Sequence, residues 1–312
     1  MMRIGQTKGV RKGKPASRRR KPPSTMARLD CAAAFQKLAR NRVAEITAQH
    51  GSACADDAEA VHQIRVVITR LRAAVSFFAP MTVDAEWIRL KKEIAWLNAS
   101  LGAARDSDVA MEYAGRKRYR AWAQCMIGQE LDECRMRDHR RLVRCLRSQR
   151  FQRLIEELSG WIRRGPWVAR WEEAARCKPA KPLKAYCRHK LDRWHKQLIH
   201  KGRQLTTMDA SHRHRLRIKS KRLRYMLEAL TDIGPVRGLG PFRRMHKPAK
   251  RLQRALGDLR DLKRFGRLGT TSPPPENGKR GDLRPPGYRR QKKKLLAVAV
   301  EAYRGLKEVD AL

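Results

Sequence analysis

Apolar positions along this chain recur every three or four residues, the spacing of a helix face turned to a core, and no β-branched run of strand length alternates. Leu29, Ala33, Gln36 to Leu38, Val43 and Ile46 make the first such run, and Gly51–Ser52 is its expected stop. The same spacing predicts helices over about 58–78, 84–114, 116–147, 149–164, 183–205, 211–231 and 243–266. Gly165–Pro166, Pro179 to Pro182, Gly234–Pro235 and Gly238 to Pro241 punctuate them, because proline removes a backbone donor and glycine loosens the chain. Residues 270–287 hold Pro273, Pro274, Pro275, Pro285 and Pro286 and read as a loop. Leu295, Leu296, Val298, Val300, Tyr303 and Leu306 then resume as a last helix that packs back onto the bundle. Residues 1–28 carry Lys12, Arg18, Arg19, Arg20 and other bases with few large hydrophobes, too little apolar surface to offset ordering entropy. The expected organisation is a disordered basic arm over 1–28, one all-α domain over 29–308 with halves of about 29–165 and 183–308, and a short tail at 309–312.

Self-similarity explains the halves. The segment His62 to Arg72 aligns with His214 to Arg224, with five of eleven positions identical, and Leu97 to Asp106 aligns with Leu252 to Asp261, with five of ten identical. The offsets are 152 and 155, so order and separation are both kept, as expected of two copies of one helical unit. On a helix at ~100° per residue, with the histidine at zero, Arg65 and Arg217 fall near −60°, Arg72 and Arg224 near −80°, Lys221 near −20°, and Arg70 and Arg222 near +80°. In the first copy Ile64, Val67, Ile68, Leu71 and Val75 gather between about 120° and 240°, opposite the bases. His62, Arg65, Arg70 and Arg72 thus share one face, as do His214, Arg217, Lys221, Arg222 and Arg224. A solvated face accepts any polar residue, whereas here the same types return at the same phase. Guanidinium forks spaced along ~15 Å of helix suit a polymer presenting one phosphate after another, each fork binding oxygens in pairs. No aromatic residue is expected on this face, so nothing there stacks on bases.

The second motif reads as architecture. Leu97, Leu101, Leu252 and Leu256 are core knobs, Gly102 and Gly257 permit close helix approach, and Asp106 and Asp261 orient arginines of the basic helix. Upstream, Arg89 and Lys92 match Arg244 and Lys247 and are candidates for a second wall of the groove. Asp106 and Asp108 suggest a metal pair, but Lys263 occupies the second copy's equivalent of Asp108, so no metal is expected.

Composition sharpens the partner class. Lysine and arginine number 73 against 30 acids, a net charge of +43 that calls for a polyanion to relieve its self-repulsion. Seven cysteines without a CxxC pair fit small hydrophobes in a reducing cytoplasm rather than zinc or disulfides. No run reaches the ~20 apolar residues that cross a bilayer. The N-terminus lacks a secretory apolar region, although its freedom from acids before Asp30 leaves a transit-peptide reading open.

His-x-x-Arg-x4-Arg-x-Arg at His62/Arg65/Arg70/Arg72 and His214/Arg217/Arg222/Arg224, with LG-x-x-RD at Leu101–Asp106 and Leu256–Asp261, resembles the CHAD domain, a helical domain marked by its histidines, over roughly residues 29–308. The resemblance implies two pseudo-symmetric four-helix subdomains around a basic cavity, inorganic polyphosphate binding, association with polyphosphate granules, and no established catalysis. The chain departs from the pattern at Thr69, where a base is usual and Lys221 stands in the second copy. Lys219 and Ser220 also thin the second apolar stripe, and Pro248 must kink or restart its helix. One continuous groove with a more basic, less rigid second face is therefore expected. The competing function is nucleic-acid or nucleoid binding through the arm and overall charge. An enzyme acting on phosphate anhydrides would need a carboxylate-held metal or a phosphate loop. No GxxxxGK[ST], HExxH or clustered acid set is present, so neither catalysis nor a cofactor is expected.

Overall fold

The computed structural model describes residues 30–177, 182–232, 239–271 and 284–309. The arm, most of the 270–287 loop, Gly234–Pro235 and the end of the tail lie outside the described residues. Those described form twelve helices: α1 Cys31–Cys54, α2 Ala58–Phe77, α3 Ala79–Thr82, α4 Ala85–Gly115, α5 Arg120–Leu146, α6 Gln149–Arg164, α7 Pro166–Cys177, α8 Leu183–Gly202, α9 Ala210–Asp232, α10 Gly240–Arg244, α11 His246–Thr271 and α12 Tyr288–Lys307. Short polar side chains set several starts by accepting from otherwise orphaned amides. Asp30 caps Ala33, Asp57 caps Glu59 and Ala60, Asp84 caps Trp87, and Ser148 caps Phe151.

Three boundaries turn on glycine and proline. Gly51–Ser52 does not stop α1, which runs on to Cys54 and ends where Asp56 takes a left-handed φ of 67°. Gly165–Pro166 is the start of α7 rather than a loop, since proline's missing donor costs nothing at a first helical position. Pro248 restarts the chain, as expected: α10 ends at Arg244, and Pro248 sits in the first turn of α11.

Helix α1 packs on α2, α2 on α4, α4 on α5, and α6 bridges α1 and α4. In the second half α8 packs on α9, α9 on α11, and α11 on α12, which returns to α8. The halves meet where α2 crosses α9. Although the chain is long enough for two cores, a single apolar cluster runs from Phe35, Phe77 and Trp161 through Leu191 and Leu223 to Phe242 and Leu306. A satellite cluster of Tyr113, Tyr119, Leu262 and Phe265 holds the ends of α4 and α11 together. Outside both, buried His139 of α5 lies between Asp56 and Asp108, with Nε2 2.9 Å from Asp108 Oδ1. That tie locks α5 to the turn after α1. No helix among the described residues is long and apolar enough to cross a membrane.

The predicted stripe of α2 is buried throughout, with Ile64, Val67, Ile68, Leu71 and Val75 all at 3% exposure or less. The thinner stripe of α9 is repaired by a polar contact: fully buried Ser220 donates to the Ala249 carbonyl of α11 at 2.9 Å. Truncating Leu71 to alanine is expected to cost about 2–5 kcal/mol of stability. Truncating its exposed neighbour Arg72 should stay within about 0.5 kcal/mol, both read from urea midpoints.

Candidate polyanion-binding cleft

Because α2 and α9 cross with their basic faces on the same side, the two copies of the motif form one cleft. It encloses about 350 Å³ and is lined by seven basic side chains, Arg65, Arg70, Arg105, Arg217, Lys221, Arg224 and Arg260, with His62 at its edge and only two carboxylates, Asp106 and Asp261. A second cleft of about 500 Å³ adjoins it, sharing Arg217 and Arg260 as the dividing wall. His214 lies there with Arg213, Lys263, Arg267 and Lys292, and no acid among the described residues lines it. The two clefts meet at Arg217 and Arg260, and each holds one of the two motif histidines.

Most predicted residues converge, but not all. Arg72 and Arg222 are exposed and line neither cleft, although partial burial of the Arg222 guanidinium, and then the nearby Arg72, lower its pKa. The expected second wall lies elsewhere. Arg89 turns outward to pair with Glu157 of α6 at 2.8 Å, and Lys92, Arg244 and Lys247 are exposed and line neither cleft. These four sit a helical turn or more before the part of α4 and α11 that faces the cleft. The wall comes from the second repeated motif itself, through Arg105, Asp106, Arg260 and Asp261. Sequence reasoning missed Arg105 and Arg260, although their identity across the copies is a usable signal. Asp106 does the expected job, meeting Arg65 at 3.8 Å, Arg260 at 3.3 Å, and Arg264.

Gly102 has no role in close approach, since a Cβ there would meet nothing within 4 Å. A Cβ at Gly257 would lie 3.4 Å from Arg217 Nε, so that glycine makes room for a guanidinium. The expectation of an aromatic-free face also needs correction. Tyr225 forms the cleft floor, with Arg224 4.3 Å, Arg70 5.4 Å and Lys221 5.4 Å from its ring centroid. At 3% exposure the ring supports cations and is closed to stacking bases.

Electrostatically the cleft is loaded in one direction. Burial drives the Lys221 ammonium down to about 7, and Arg217, Arg65, Arg224 and Arg260 push the same way. Lys221 donates to Thr69 Oγ1 at 3.3 Å. Thr69 is Lys221's counterpart in the repeat, so the two equivalent positions meet where α2 crosses α9, and two lysines there would put like charges in contact. Burial also lowers His62, with Arg105 next, and lowers His214, with Arg260 next. Arg65 and Arg217 are lowered by burial, partly offset by Asp106 and Asp261 respectively. Asp261 is raised, chiefly by its own burial. At the far end Glu228 gathers Arg224 at 2.7 Å, His246 at 2.9 Å and Arg70 at 3.4 Å. His62 Nδ1 and Arg217 Nε are buried with no hydrogen-bond partner among the described residues. The cleft therefore holds donors and positive charge in excess of what the protein itself satisfies.

The family model of the CHAD domain matches residues 37–268. The crystal structure of the CHAD domain from the plant Ricinus communis is similar with a TM-score of 0.69 and 24% identity, over 93% of this chain and 96% of that one. PptA from Streptomyces chartreusis is similar with a TM-score of 0.62 and 14% identity, over 90% of this chain and 99% of that one. No curated protein matches the chain in sequence.

The lowered Lys221 sets a pH dependence. Folding penalises its charged form, so relative to pH above the ordinary value of 10.5 stability is lost as pH falls toward the folded value of about 7. Lys221→Met should therefore raise the urea midpoint clearly at pH 6.5 and much less at pH 9.5. An equal gain at both would contradict the burial of a strained charge.

Proposed function

The chain belongs to the CHAD domain family, and from that membership and the cleft we propose that it binds long inorganic polyphosphate and is targeted by it to polyphosphate granules. The observation that carries the reading is the pair of joined basic clefts, with Arg217 and Arg260 common to both. A polymer carrying a negative charge on each repeating unit can occupy both compartments at once, while a single phosphate can use only one. Each guanidinium presents a planar fork that pairs with two phosphate oxygens. Binding raises the pKa of Lys221, His62 and His214, so the complex takes up protons near neutral pH. Asp106, Asp261 and Glu228 hold the arginines in place before the polymer arrives, which limits the ordering cost of binding. The likeness of the α2 and α9 faces supports an origin by internal duplication.

The cleft acts as a binder rather than a catalyst in this reading. Its carboxylates are engaged with arginines, and its histidines sit as donors along a row of cations. The competing nucleic-acid reading draws on the net charge of +43 rather than on the cleft. A buried Tyr225 favours polyphosphate, because single-strand binders present open rings to bases.

A competition titration of long polyphosphate against duplex DNA at two salt concentrations tests the reading. Wild-type protein should prefer polyphosphate at both. Arg65→Ala/Arg217→Ala/Lys221→Ala should weaken polyphosphate binding at least a hundredfold, at about 1–3 kcal/mol for each charge-assisted hydrogen bond removed. The outward set Arg89→Ala/Lys92→Ala/Lys247→Ala removes the same number of basic side chains and should change it only a few-fold. Equal weakening in the two variants would show that net charge, not the cleft, does the binding.

A further inference from the structure

The bases that the cleft leaves out are not scattered. On α8, His189, Arg193, Lys196 and His200 follow one another at i, i+4, i+7 and i+11, within about 60° of arc and over ~16 Å of helix. All four are exposed, while Leu183, Cys187, Leu191, His195 and Leu198 on the opposite side are buried in the core. A solvated helix face would be convex and mixed in charge. This one borders a shallow, open depression of about 660 Å³, lined also by Lys201 of the same helix and by Lys219 of α9. Asp192 is its one carboxylate, and that group is committed to Lys196 at 2.9 Å. Among the described residues no acid pairs with Arg193, Lys201 or Lys219. Lys219 reaches Gln197 Oε1 at 3.3 Å, and its pKa is lowered by burial first, then by Arg222 and Lys201.

The stranded pair, Arg72 and Arg222, supplies the link. Arg222 feels Arg72 on one side and depresses Lys219 on the other. Arg72 shares α2 with Arg65 and Arg70 of the cleft, and Arg222 is the chain neighbour of Lys221. Exposed Arg72 and Arg222 thus carry positive charge around α9, from the α2–α9 crossing toward Lys219 and the basic face of α8. We propose that this face is a second polyanion-binding site, and that it takes the continuation of the same phosphate polymer whose middle lies in the cleft, with Arg72 and Arg222 guiding the chain between them. The proposal rests on polyphosphate binding in the cleft. A polymer long enough to reach both sites gains the second contact as an intramolecular event, whereas a short one cannot.

The test compares chain lengths in an Arg193→Gln/Lys201→Gln/Lys219→Gln variant of the full chain, with its thermal midpoint and helix content checked against wild type. Affinity for long-chain polyphosphate should fall about tenfold or more, since avidity from a linked second site reaches about 10²-fold and beyond. Affinity for tripolyphosphate, which the cleft alone accommodates, should stay within twofold. The conservative set Arg193→Lys/Lys201→Arg/Lys219→Arg should keep long-chain affinity, which a merely misfolded α8 would not explain. Unchanged long-chain binding in the glutamine variant overturns the proposal, and so does an equal loss for both lengths, which would reflect the general field. Loss of duplex DNA binding alone would reassign the face to nucleic acid and overturn it too. Failure of the cleft reading shows separately, as tripolyphosphate binding that survives Arg65→Ala/Arg217→Ala/Lys221→Ala, and that result removes the foundation of this proposal as well.

Discussion

The crossing of α2 over α9 imposes the constraint to which the rest of the molecule answers. It sets two arginine-rich faces side by side, so that Arg65, Arg217, Lys221, Arg224 and Arg260 crowd one another's charge. Like charges that close repel by kilocalories at protein-interior dielectric. The fold tolerates them through a few placed acids, Asp106 under Arg65 and Arg260, and Glu228 under Arg70 and Arg224. Tyr225 adds a ring beneath three cations, and Thr69 stands where a second lysine would meet Lys221. The neutralisation is partial, and under the proposed function a polyanion completes it.

The same constraint explains why the core is shared. Two helices that must expose a crowded basic face need a rigid apolar back. The backs of α2 and α9 are continuous with the cluster that includes Phe77, Leu191 and Leu223. Ser220, buried against the Ala249 carbonyl, holds α9 to α11 where a larger apolar residue, Ile68, does so in the first copy. The expected less rigid second face is therefore braced by a hydrogen bond in place of packing volume.

How much of this is legible in the sequence depends on the kind of information each feature needs. Helix periodicity locates α2, α4, α6, α8 and α9 within a few residues, because one buried stripe determines one helix. His62, Arg65, Arg70, His214, Arg217, Lys221 and Arg224, which the repeat singles out, line the clefts for the same reason. What fails requires knowing the crossing. Arg72 and Arg222 share the phase of their motif yet lie beyond the edge of the cleft. Arg89 and Lys92 match across the copies, but that match cannot reveal that α4 faces the cleft only from Arg105 onward. Tyr225 is hidden by its place just past the last motif arginine, and α7 by a proline that looks like a stop and acts as a start.

The central claim is that the phosphate polymer lies along the wall shared by the two clefts. A crystal structure of the protein grown with long-chain polyphosphate measures this most directly. It should show consecutive phosphates on either side of Arg217 and Arg260, with oxygens at hydrogen-bond distance from Arg217 Nε and Lys221 Nζ. Ordered polymer elsewhere on the surface, with those two side chains still without phosphate partners, would contradict it.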